Sequence, residues 1–269
     1  VIFGGVGQAP QVERLKKGHR VQALPESGGE YRIRFSIRKN EAEIMLDTSG
    51  EGLHKRGYRK VANLAPIRET LAAGILDIAR IYPDTQLYDP FCGSGTFLIE
   101  AAYKAKNIAP GIYRRFAAEK WDSLPSKIWQ TSREEAIEKI RKDIEFTAFG
   151  SDINQDSLEI AEANARRAGI SGLIRLETAD VKNFTIPDRK SLVVTNPPYG
   201  ERLMNGEDLT KLYQTMGNVF QPSQQTAYYI ISSAENFEQS FGRKADKKRK
   251  LYNGMLKCNL YQYFAQKSK

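Results

Sequence analysis

From residue 86 onward, strand-like and helix-like segments alternate along the chain, and this alternation constrains the fold more than any other feature of the sequence. Such alternation is typical of a mostly parallel sheet with helices on both faces. We therefore predict an α/β protein with a doubly wound sheet. The predicted strands are Gln86–Tyr88, Phe146–Ser151, Leu173–Glu177, Ser191–Thr195 and Thr226–Ser232, and the predicted helices between them are Thr96–Lys106, Asp156–Ala168 and Leu209–Phe220.

The C-terminal end breaks the alternation with two strand-like runs in succession. Lys250–Tyr252 and Cys258–Phe264 flank Asn253-Gly254, a dipeptide that is a strong hairpin signal. An antiparallel hairpin is therefore expected to complete one edge of the sheet.

The N-terminal part follows different patterns. Tyr31–Ile37 and Glu43–Asp47 alternate apolar and polar residues, with Lys39-Asn40-Glu41 as the turn between them. Pro66 stands at the expected first turn of a helix that continues to Ile78. Further along, residues 107–131 have no regular pattern, and Ser132 opens a capping-box helix that is expected to reach Glu145.

Domain boundaries follow from these patterns. The chain begins at Val1 without an initiator methionine, and residues 1–50 are too few for a self-sufficient domain, so we expect them to be the last part of a larger one. Residues 51–63 read as a basic, glycine-containing linker. Residues 64–269 are predicted to form the main domain, with an insertion at about 104–145.

Composition excludes several classes of protein. Two cysteines and two histidines cannot build a disulfide framework or a His-rich metal site. No apolar run approaches the roughly 20 residues of a membrane span. We expect a soluble cytoplasmic protein without a metal.

Charge is unevenly distributed. The formal net charge is +9, and residues 1–60 carry +5 and residues 242–269 carry +8, whereas the residues between them carry −4. Basic ends around a near-neutral body favour a polyanionic partner that is held by the ends. The alternative is that basic runs such as Lys247–Lys250 are ordinary solvated loops.

The segment Asp89-Pro90-Phe91-Cys92-Gly93-Ser94-Gly95-Thr96 joins a strand to a helix. In a doubly wound sheet this turn lies at the carboxyl ends of the strands, where ligands bind. It lacks the P-loop pattern, and Leu98 occupies the third glycine position of a dinucleotide fingerprint. An acidic residue that opens a glycine turn suits a cationic ligand, and S-adenosylmethionine fits. A purely structural glycine turn is the alternative.

Two aspartates follow later predicted strands. Asp152 stands where a carboxylate can accept from both ribose hydroxyls of a nucleoside. It lies farther along the chain from the glycines than such an acidic residue usually does, and the predicted insertion accounts for the extra residues. Asp180 follows the next strand and is placed to meet the adenine amino group. Either residue alone would be an ordinary cap or turn residue, but together they favour a ligand site.

The motif Asn196-Pro197-Pro198-Tyr199 follows an apolar strand. The Asn196 side chain and the Pro197 carbonyl can accept hydrogen bonds from an exocyclic amino group, and consecutive prolines fix the backbone. Tyr199 can stack on an extruded base, a role that needs the ring and not the hydroxyl. A proline-rich turn after a buried strand is the alternative.

These motifs together resemble a known family. Asp89–Thr96 with the run from Asn196 to Arg202 is similar to S-adenosylmethionine-dependent amino-methyltransferases, which have a Rossmann-like sheet. More narrowly, they resemble the THUMP-domain family that methylates guanine N2 of 23S, large-subunit ribosomal RNA, whose members are often labelled N6-adenine-specific DNA methylases. The similarity extends to residues 46–59, to Ala109–Trp121 and to Asn253-Gly254.

The resemblance implies a Rossmann-like methyltransferase domain preceded by a partial THUMP-like α+β segment at residues 1–50. It implies S-adenosylmethionine as cofactor and RNA as partner. The implied cofactor contacts are Asp89, Phe91, Cys92, Gly93, Gly95, Thr96, Asp152, Ile153, Asp180 and Asn196, and the implied catalytic residues are Asn196, Pro197 and Tyr199. The basic residues expected to bind RNA are Lys55, Arg56, Arg59, Arg202, Lys247, Lys248 and Arg249.

Two other functions remain open from the sequence. A DNA adenine-N6 methyltransferase shares the Asn196–Tyr199 motif, although the basic Lys55–Arg59 segment favours RNA. A non-enzymatic assembly protein that only binds the cofactor is the second, and the intact Asn196 and Tyr199 argue against it.

Overall fold

The computed structural model describes residues 8–24, 29–59, 66–185, 189–199 and 206–266. The chain divides into two compact units. Unit 1 comprises Val1–Leu53 and Gly111–Glu138, and unit 2 comprises His54–Pro110 and Lys139–Lys269. Residues 111–138 of the predicted insertion therefore group with the N-terminal residues and not with the sheet that flanks them.

The secondary structure in the described ranges consists of helices and strands in two sheets. The helices are α1 (Gln8–His19), α2 (Glu69–Ala79), α3 (Thr96–Lys106), α4 (Ser126–Glu138), α5 (Gln155–Arg167), α6 (Gly206–Val219) and α7 (Phe237–Phe241). The strands are β1 (Arg32–Arg38), β2 (Glu41–Asp47), β3 (Gln86–Asp89), β4 (Thr147–Asp152), β5 (Ile174–Thr178), β6 (Ser191–Thr195), β7 (Thr226–Ser232), β8 (Lys247–Asn253) and β9 (Leu256–Tyr263).

Unit 2 is built on a seven-stranded sheet in the order β5-β4-β3-β6-β7-β9-β8. The pairs among β3 to β7 are parallel, whereas β9 is antiparallel to both β7 and β8. The chain moves outward from β3 to β5 and then returns to the other side of β3 as β6, which creates a topological switch point between β3 and β6. The predicted doubly wound sheet with a C-terminal antiparallel hairpin is confirmed.

Two hydrophobic clusters cover the sheet. On one face, α2 and α3 pack with α5, and α3 buries nine of its eleven residues because small and aliphatic side chains surround it. On the other face, α6 and α7 contribute an aromatic cluster that includes Tyr213, Phe220 and Phe237. β7, which pairs with strands on both sides, is buried along all seven residues. These clusters hold the carboxyl ends of the strands in fixed positions.

Local signals explain why α5 begins and ends where it does. The side chain of Asn154 accepts hydrogen bonds from the backbone N–H groups of Asp156 and Ser157, which caps the helix. Gly169, with a φ of +70°, adopts the left-handed conformation after the last turn. From the sequence, Gly169 predicts the end of this helix after Ala168, whereas the Asn154 cap is found only in the structure.

Several sequence-based predictions were wrong in position. The helix predicted at Ser132–Glu145 is α4, which begins directly after Pro125, so Ser132 lies inside it and not at its N-terminus. Residues 139–145 instead leave the helix, where Arg141 N–H donates to the Lys106 carbonyl at 2.8 Å. The Pro66 helix starts three residues later, at Glu69, and residues 8–19, for which no helix was predicted, form α1.

The basic run Lys247–Lys250 is part of a strand and not a loop. Pairing with β9 extends β8 back to Lys247, three residues before the predicted start. At the other end Asn253 pairs with Leu256, so the two loop residues are Gly254 and Met255 rather than Asn253 and Gly254. Gly254 has a φ of +66°, a conformation that favours glycine at this position.

Unit 1 contains a second, two-stranded sheet. Arg38 and Glu41 pair across the turn between β1 and β2, and the two turn residues Lys39 and Asn40 both have positive φ, as a type I′ turn requires. Tyr31 stacks on Trp121 with ring centroids 4.7 Å apart. The Trp121 indole donates to the Glu30 carbonyl at 2.9 Å, so residues 29–53 and 111–138 are linked by packing and hydrogen bonds.

The described ranges contain neither a membrane-crossing helix nor a cluster of metal ligands. None of the helices there has the length and apolar character that a membrane crossing requires. The same residues contain no group of three or more His, Cys, Asp or Glu side chains arranged to hold a metal ion.

Candidate active site

The candidate site lies at the carboxyl edge of the unit 2 sheet, around the switch point between β3 and β6. β3 ends at Asp89, β4 at Asp152 and β6 at Thr195, and these three strands are neighbours in parallel register. Parallel strands end at the same edge of a sheet, so the loops that follow them converge. Crevices at such switch points are where ligands bind in open α/β sheets.

The loop from Asp89 to Thr96 turns sharply between β3 and α3. Gly93 and Gly95 have φ values of +50° and +80°, which favour glycine. A Cβ on Gly95 would also lie 3.1 Å from the Cβ of Ala161 in α5, so the glycine permits close packing of two helices. The Cys92 N–H donates to the Ser151 carbonyl at 3.0 Å, which ties the loop to the end of β4.

Asp89 is a carboxylate buried without a cation. Only 2% of the residue is exposed, and its Oδ1 accepts from Thr195 Oγ1 at 2.7 Å and from the Phe91 N–H at 3.2 Å. Burial, with a smaller contribution from the nearby Asp152 carboxylate, raises the pKa of Asp89 to about 7, although the two hydrogen bonds lower it. No Lys or Arg pairs with Asp89 among the residues the structure describes, so a bound cation would be stabilised here.

Asp152 and Asp180 both reach this edge but differ in surroundings. Asp152 accepts from the Gly93 and Asn154 N–H groups, each at 3.0 Å, through different oxygens, and so it is held in a fixed orientation beside the loop. Asp180 accepts from the Lys182 N–H at 2.9 Å and pairs with the Lys182 ammonium at 3.2 Å. These contacts with Lys182 lower the pKa of the Asp180 carboxyl and keep it ionised.

The Asn196–Tyr199 loop follows β6 at the same edge. Asn196 Oδ1 is shielded from solvent and has no hydrogen-bond partner among the described residues. An unsatisfied buried acceptor is uncommon and indicates strain, an ordered water or a ligand donor. The hydroxyl of the buried Tyr213 in α6 donates to the Pro198 carbonyl at 3.1 Å, which holds the loop against α6.

Tyr199 is anchored through its hydroxyl as well as its ring. The ring packs against the larger hydrophobic cluster, and its hydroxyl accepts from Asn253 Nδ2 of the β8–β9 hairpin at 3.2 Å. Burial raises the pKa of Tyr199, so the hydroxyl stays protonated. From the sequence only the ring was given a role, and the partner of the hydroxyl was missed, although Asn253-Gly254 is a recognisable motif.

A cavity of about 260 Å³ lies against the ends of β3, β4 and β5. Asp89 and Asp180 line it together with Ser151. The stacked rings of Tyr88 and Phe149, 4.7 Å apart, form part of its wall on the sheet face. An adenine-sized ring has room in such a space, so two of the predicted cofactor contacts face a cavity that could hold part of a nucleoside.

The remaining predicted cofactor contacts divide into two groups. The first group is accessible to solvent at the carboxyl edge of the sheet: Ile153 is exposed, and Phe91 and Gly93 are partly exposed. Cys92 and Thr96 face inward instead. The Cys92 thiol lies in the hydrophobic core, where burial raises its pKa, and the Thr96 hydroxyl accepts from the Arg59 guanidinium. Their side chains therefore support the loop from within, and only their backbone can face a ligand.

The segment 54–59, predicted as part of a linker that binds RNA, is packed into unit 2. Arg56 is 9% exposed, and its guanidinium pairs with Glu100 of α3 at 3.3 Å. Tyr58 is buried and donates to the same carboxylate at 3.0 Å. Arg59 pairs with Glu69 of α2 at 3.3 Å. The structure therefore contradicts Arg56 and Arg59 as phosphate contacts, because carboxylates in the protein interior already pair with them.

The other basic residues predicted to bind RNA lie in different surroundings. Lys55, Lys247 and Arg249 are exposed, the last two on the edge strand β8. Lys248 is also exposed, but its ammonium pairs with Glu238 at 2.7 Å, which raises the pKa of Lys248. Arg202 lies outside the described residues.

Comparison with known proteins identifies the family. Residues 56–262 match the model of the RMKL-like methyltransferase domain. The Bacillus subtilis (strain 168) protein named "Putative RNA methyltransferase YpsC" is 44% identical over 257 residues, which cover 95% of this chain and 67% of that protein. The chain belongs to the RMKL-like methyltransferase domain family.

Other relatives extend the comparison. "Ribosomal RNA large subunit methyltransferase K/L" of Psychromonas ingrahamii (strain DSM 17664 / CCUG 51855 / 37) is 41% identical over 86% of this chain, which spans only 32% of that protein. The crystal structure of "SMU.472, a putative methyltransferase complexed with SAH" superimposes with a TM-score of 0.88 at 41% identity, covering 96% of this chain and 69% of the other. S-adenosylhomocysteine is what remains of S-adenosylmethionine after methyl transfer. The expected cofactor of this methyltransferase domain, S-adenosylmethionine, is confirmed.

Proposed function

We propose that this methyltransferase domain transfers a methyl group from S-adenosylmethionine to the exocyclic amino group of a base in RNA, with guanine N2 of 23S ribosomal RNA as the target. The observation that carries the proposal is the buried Oδ1 of Asn196, one residue from Thr195, whose hydroxyl binds the buried Asp89. Among the described residues, neither a donor for Asn196 Oδ1 nor a cation for Asp89 is present, and the two groups occupy adjoining positions. An amino group and a cationic cofactor would satisfy both.

The residues at the edge of the sheet fit this cofactor. Asp89 would face its positively charged end, Asp152 its ribose hydroxyls and Asp180 the adenine amino group, with the cavity beside β5 as the space for the ring. When bound, S-adenosylmethionine supplies a methyl group on a positively charged sulfur. The remaining requirement is to hold the target nitrogen in line with that methyl group, and positioning of this kind lowers the barrier substantially.

Asn196 and the Pro197 carbonyl would accept hydrogen bonds from the amino group of the base. The nitrogen lone pair is delocalised into the ring, and two acceptors draw the amino group towards tetrahedral geometry, which makes it a better nucleophile. Because Asn196 Oδ1 is shielded from solvent, a base must displace a covering group to reach it. The bond from Tyr213 to the Pro198 carbonyl keeps the backbone in place. The proton of the methylated amino group leaves after transfer, when it has become acidic.

Tyr199 would stack on the target base after the base has left its helix. Its ring is held against the hydrophobic core and its hydroxyl against Asn253, so the stacking surface is rigid. Rigid aromatic surfaces contribute more binding free energy than mobile ones, because less conformational entropy is lost on binding.

RNA is favoured over DNA by the names of the relatives and by the basic hairpin strand. The K/L relatives are named for large-subunit ribosomal RNA. One solved structure at 42% identity is instead named "a predicted N6-adenine-specific DNA methylase from Listeria monocytogenes str. 4b F2365", which keeps adenine N6 of DNA as the second candidate. Incubation of the protein with labelled S-adenosylmethionine and separately with total RNA or DNA, followed by nucleoside analysis, decides between N2-methylguanosine and N6-methyldeoxyadenosine.

The Asn196→Ala variant tests the mechanism. We expect single-turnover methylation of RNA to fall roughly 100- to 1000-fold, the loss seen when one donor or acceptor is removed at a polarising site. Cofactor affinity, measured by calorimetry, should fall much less than the rate, because the proposed main role of Asn196 Oδ1 is to accept from the base and Asp89, Asp152 and Asp180 remain for the cofactor. Asn218→Ala is the matched control, since Asn218 is exposed on α6. If Asn196→Ala keeps nearly the full rate, the amino-transfer mechanism is wrong.

A further inference from the structure

The tip of the β8–β9 hairpin lies at the same edge of the sheet as the candidate active site. β9 is antiparallel to β7 and to β8, so β8 runs in the direction of β6 and ends at the same edge. The hydrogen bond between Asn253 Nδ2 and the Tyr199 hydroxyl, 3.2 Å long, joins the tip directly to the Asn196–Tyr199 loop. Any base held by that loop therefore has the hairpin tip as its neighbour.

The tip of the hairpin exposes apolar side chains. Met255, the second loop residue, is 99% exposed. Tyr252 and Leu256, on either side of the loop, are 55% and 47% exposed. A hairpin loop does not need a methionine for its conformation, because Gly254 supplies the positive φ. Apolar side chains that are grouped at one exposed tip, and not scattered singly, are the kind of surface that contacts a partner.

Positive charge lies next to the apolar tip and along the strand that leads to it. The Lys250 ammonium lies 5.5 Å from the centre of the Tyr252 ring, and Lys247 and Arg249 are exposed further along β8. On the other side, Arg68 is exposed at the start of α2, and its Nη2 would lie 3.8 Å from a Cβ on Gly254. Apolar or aromatic groups framed by cations suit a nucleic acid, whose bases stack while its phosphates pair with the cations.

We propose that the β8–β9 hairpin tip is an RNA wedge in which Met255 inserts into the base stack beside the target nucleotide. This inference rests on the proposed function, because the wedge would free the target base from its helix so that the base can reach Tyr199. A paired base must leave its helix before it can reach Asn196, and unstacking costs a few kcal/mol per step. Apolar side chains that enter the vacated space offset that cost, as wedge residues do in other nucleic-acid-binding proteins. Lys250 and Arg68 hold the adjoining phosphates, and Lys247 and Arg249 contact the backbone farther from the target nucleotide.

The experiment measures unstacking without methylation. The probe is a short RNA stem–loop that carries 2-aminopurine in its stem, mixed with the full chain and S-adenosylhomocysteine. Unstacking raises the fluorescence of 2-aminopurine. Wild-type protein should raise it, and Met255→Ala should lower the unstacked-to-stacked ratio about tenfold, the effect of a loss of about 1.4 kcal/mol. RNA affinity measured by anisotropy should change much less, because the cations remain.

Two further variants test whether the effect is specific to an apolar side chain at position 255. Met255→Leu keeps an apolar wedge and should retain most of the fluorescence rise. Tyr82→Ala removes a side chain that is 51% exposed in the loop before β3, away from the hairpin, and should behave as wild type. Thermal unfolding of Met255→Ala should match wild type, because a side chain that is 99% exposed contributes little to packing.

The outcomes separate this inference from the proposed function. Equal fluorescence rises for wild type and Met255→Ala, or no rise with wild type, overturn the wedge even if RNA is methylated. A rise that depends on Met255 supports the wedge, and if the same wild-type protein methylates no RNA, the proposed reaction is the part that fails.

Discussion

The ionisation of Asp89 links folding stability to pH. Its pKa is raised from the ordinary value of 3.8 to about 7 by burial, so the folded protein holds this proton more tightly than the unfolded chain does. The resulting stabilisation is fully present below pH 3.8 and is lost as the pH rises to about 7. Above that pH the ionised Asp89 destabilises the ligand-free protein, and a bound cation would relieve this cost.

Cofactor affinity should therefore rise with pH as Asp89 ionises. We expect binding of S-adenosylmethionine, measured by calorimetry, to strengthen between pH 6 and pH 8, around the pKa of about 7. Asp89→Asn should bind more weakly and without this pH dependence, and it should unfold at a higher temperature than wild type at pH 8. Thr195→Val, which removes the hydroxyl that donates to Asp89 at 2.7 Å, should move the transition to higher pH. A pH-independent affinity in wild type would remove Asp89 from the cofactor site.

The segment 54–59 acts as a structural element of unit 2, although its composition is that of a basic linker. It places Arg56 and Tyr58 on Glu100 of α3, and Arg59 on Glu69 of α2 and on Thr96 at the start of α3. Glu100 is buried, which raises its pKa, while Arg56 lowers it. Because α3 begins directly after the glycine loop, this network fixes the start of α3 and therefore the end of the loop.

Removal of Arg56 should destabilise the protein and not selectively weaken RNA binding. Arg56→Met leaves Glu100 buried without its cation, a change that costs about 3–5 kcal/mol of unfolding free energy. Lys55→Met, at the neighbouring exposed position, should cost less than about 1 kcal/mol. Chemical denaturation of the two variants provides the comparison. Equal stability of the two variants, with RNA affinity lost only in Arg56→Met, would return Arg56 to the RNA-binding residues.

Across the whole molecule, the net charge of +9 is concentrated toward the chain termini, and the fold places part of it on a strand that runs to the candidate active site. The edge strand β8 carries exposed Lys247, Arg249 and Lys250 and ends at Asn253, which contacts Tyr199. Within the described residues these three make no ion pair, whereas Lys248 pairs with Glu238. Charges that are not neutralised internally are the ones that can release counterions from RNA.

Substitution of Lys247, Arg249 and Lys250 by Gln should flatten the salt dependence of RNA binding. Each phosphate that the variant no longer neutralises should reduce the slope of log affinity against log salt by about 0.7 for single-stranded RNA. A triple variant of Lys106, at the end of α3, and of the exposed Lys139 and Lys142, in the segment before β4, is the control and should keep the slope. Filter binding over a series of salt concentrations measures both. Equal slopes would leave the β8 cations as ordinary solvated surface.

Short-range patterns were enough to predict most of the framework. The ranges of α3, β6 and β7 were predicted to the residue, because dense apolar runs bounded by turn residues define an element locally. The order of strands and helices then predicted the doubly wound sheet, and with it the edge where Asp89, Asp152 and Asn196 meet. α4 was misplaced, because Ser132 offers a capping pattern that competes with the true start after Pro125.

Only the tertiary structure decided which side chains face a ligand and which are used internally. Arg56 and Glu100 are 44 residues apart, Tyr199 and Asn253 are 54 apart, and Asp89 and Thr195 are 106 apart. No local pattern reports such pairs, because a charged or aromatic residue has the same sequence signature whether its partner is solvent, RNA or a distant carboxylate. The motifs in the sequence thus indicate the chemistry, whereas burial and long-range pairing determine which of the motif residues can contact a ligand.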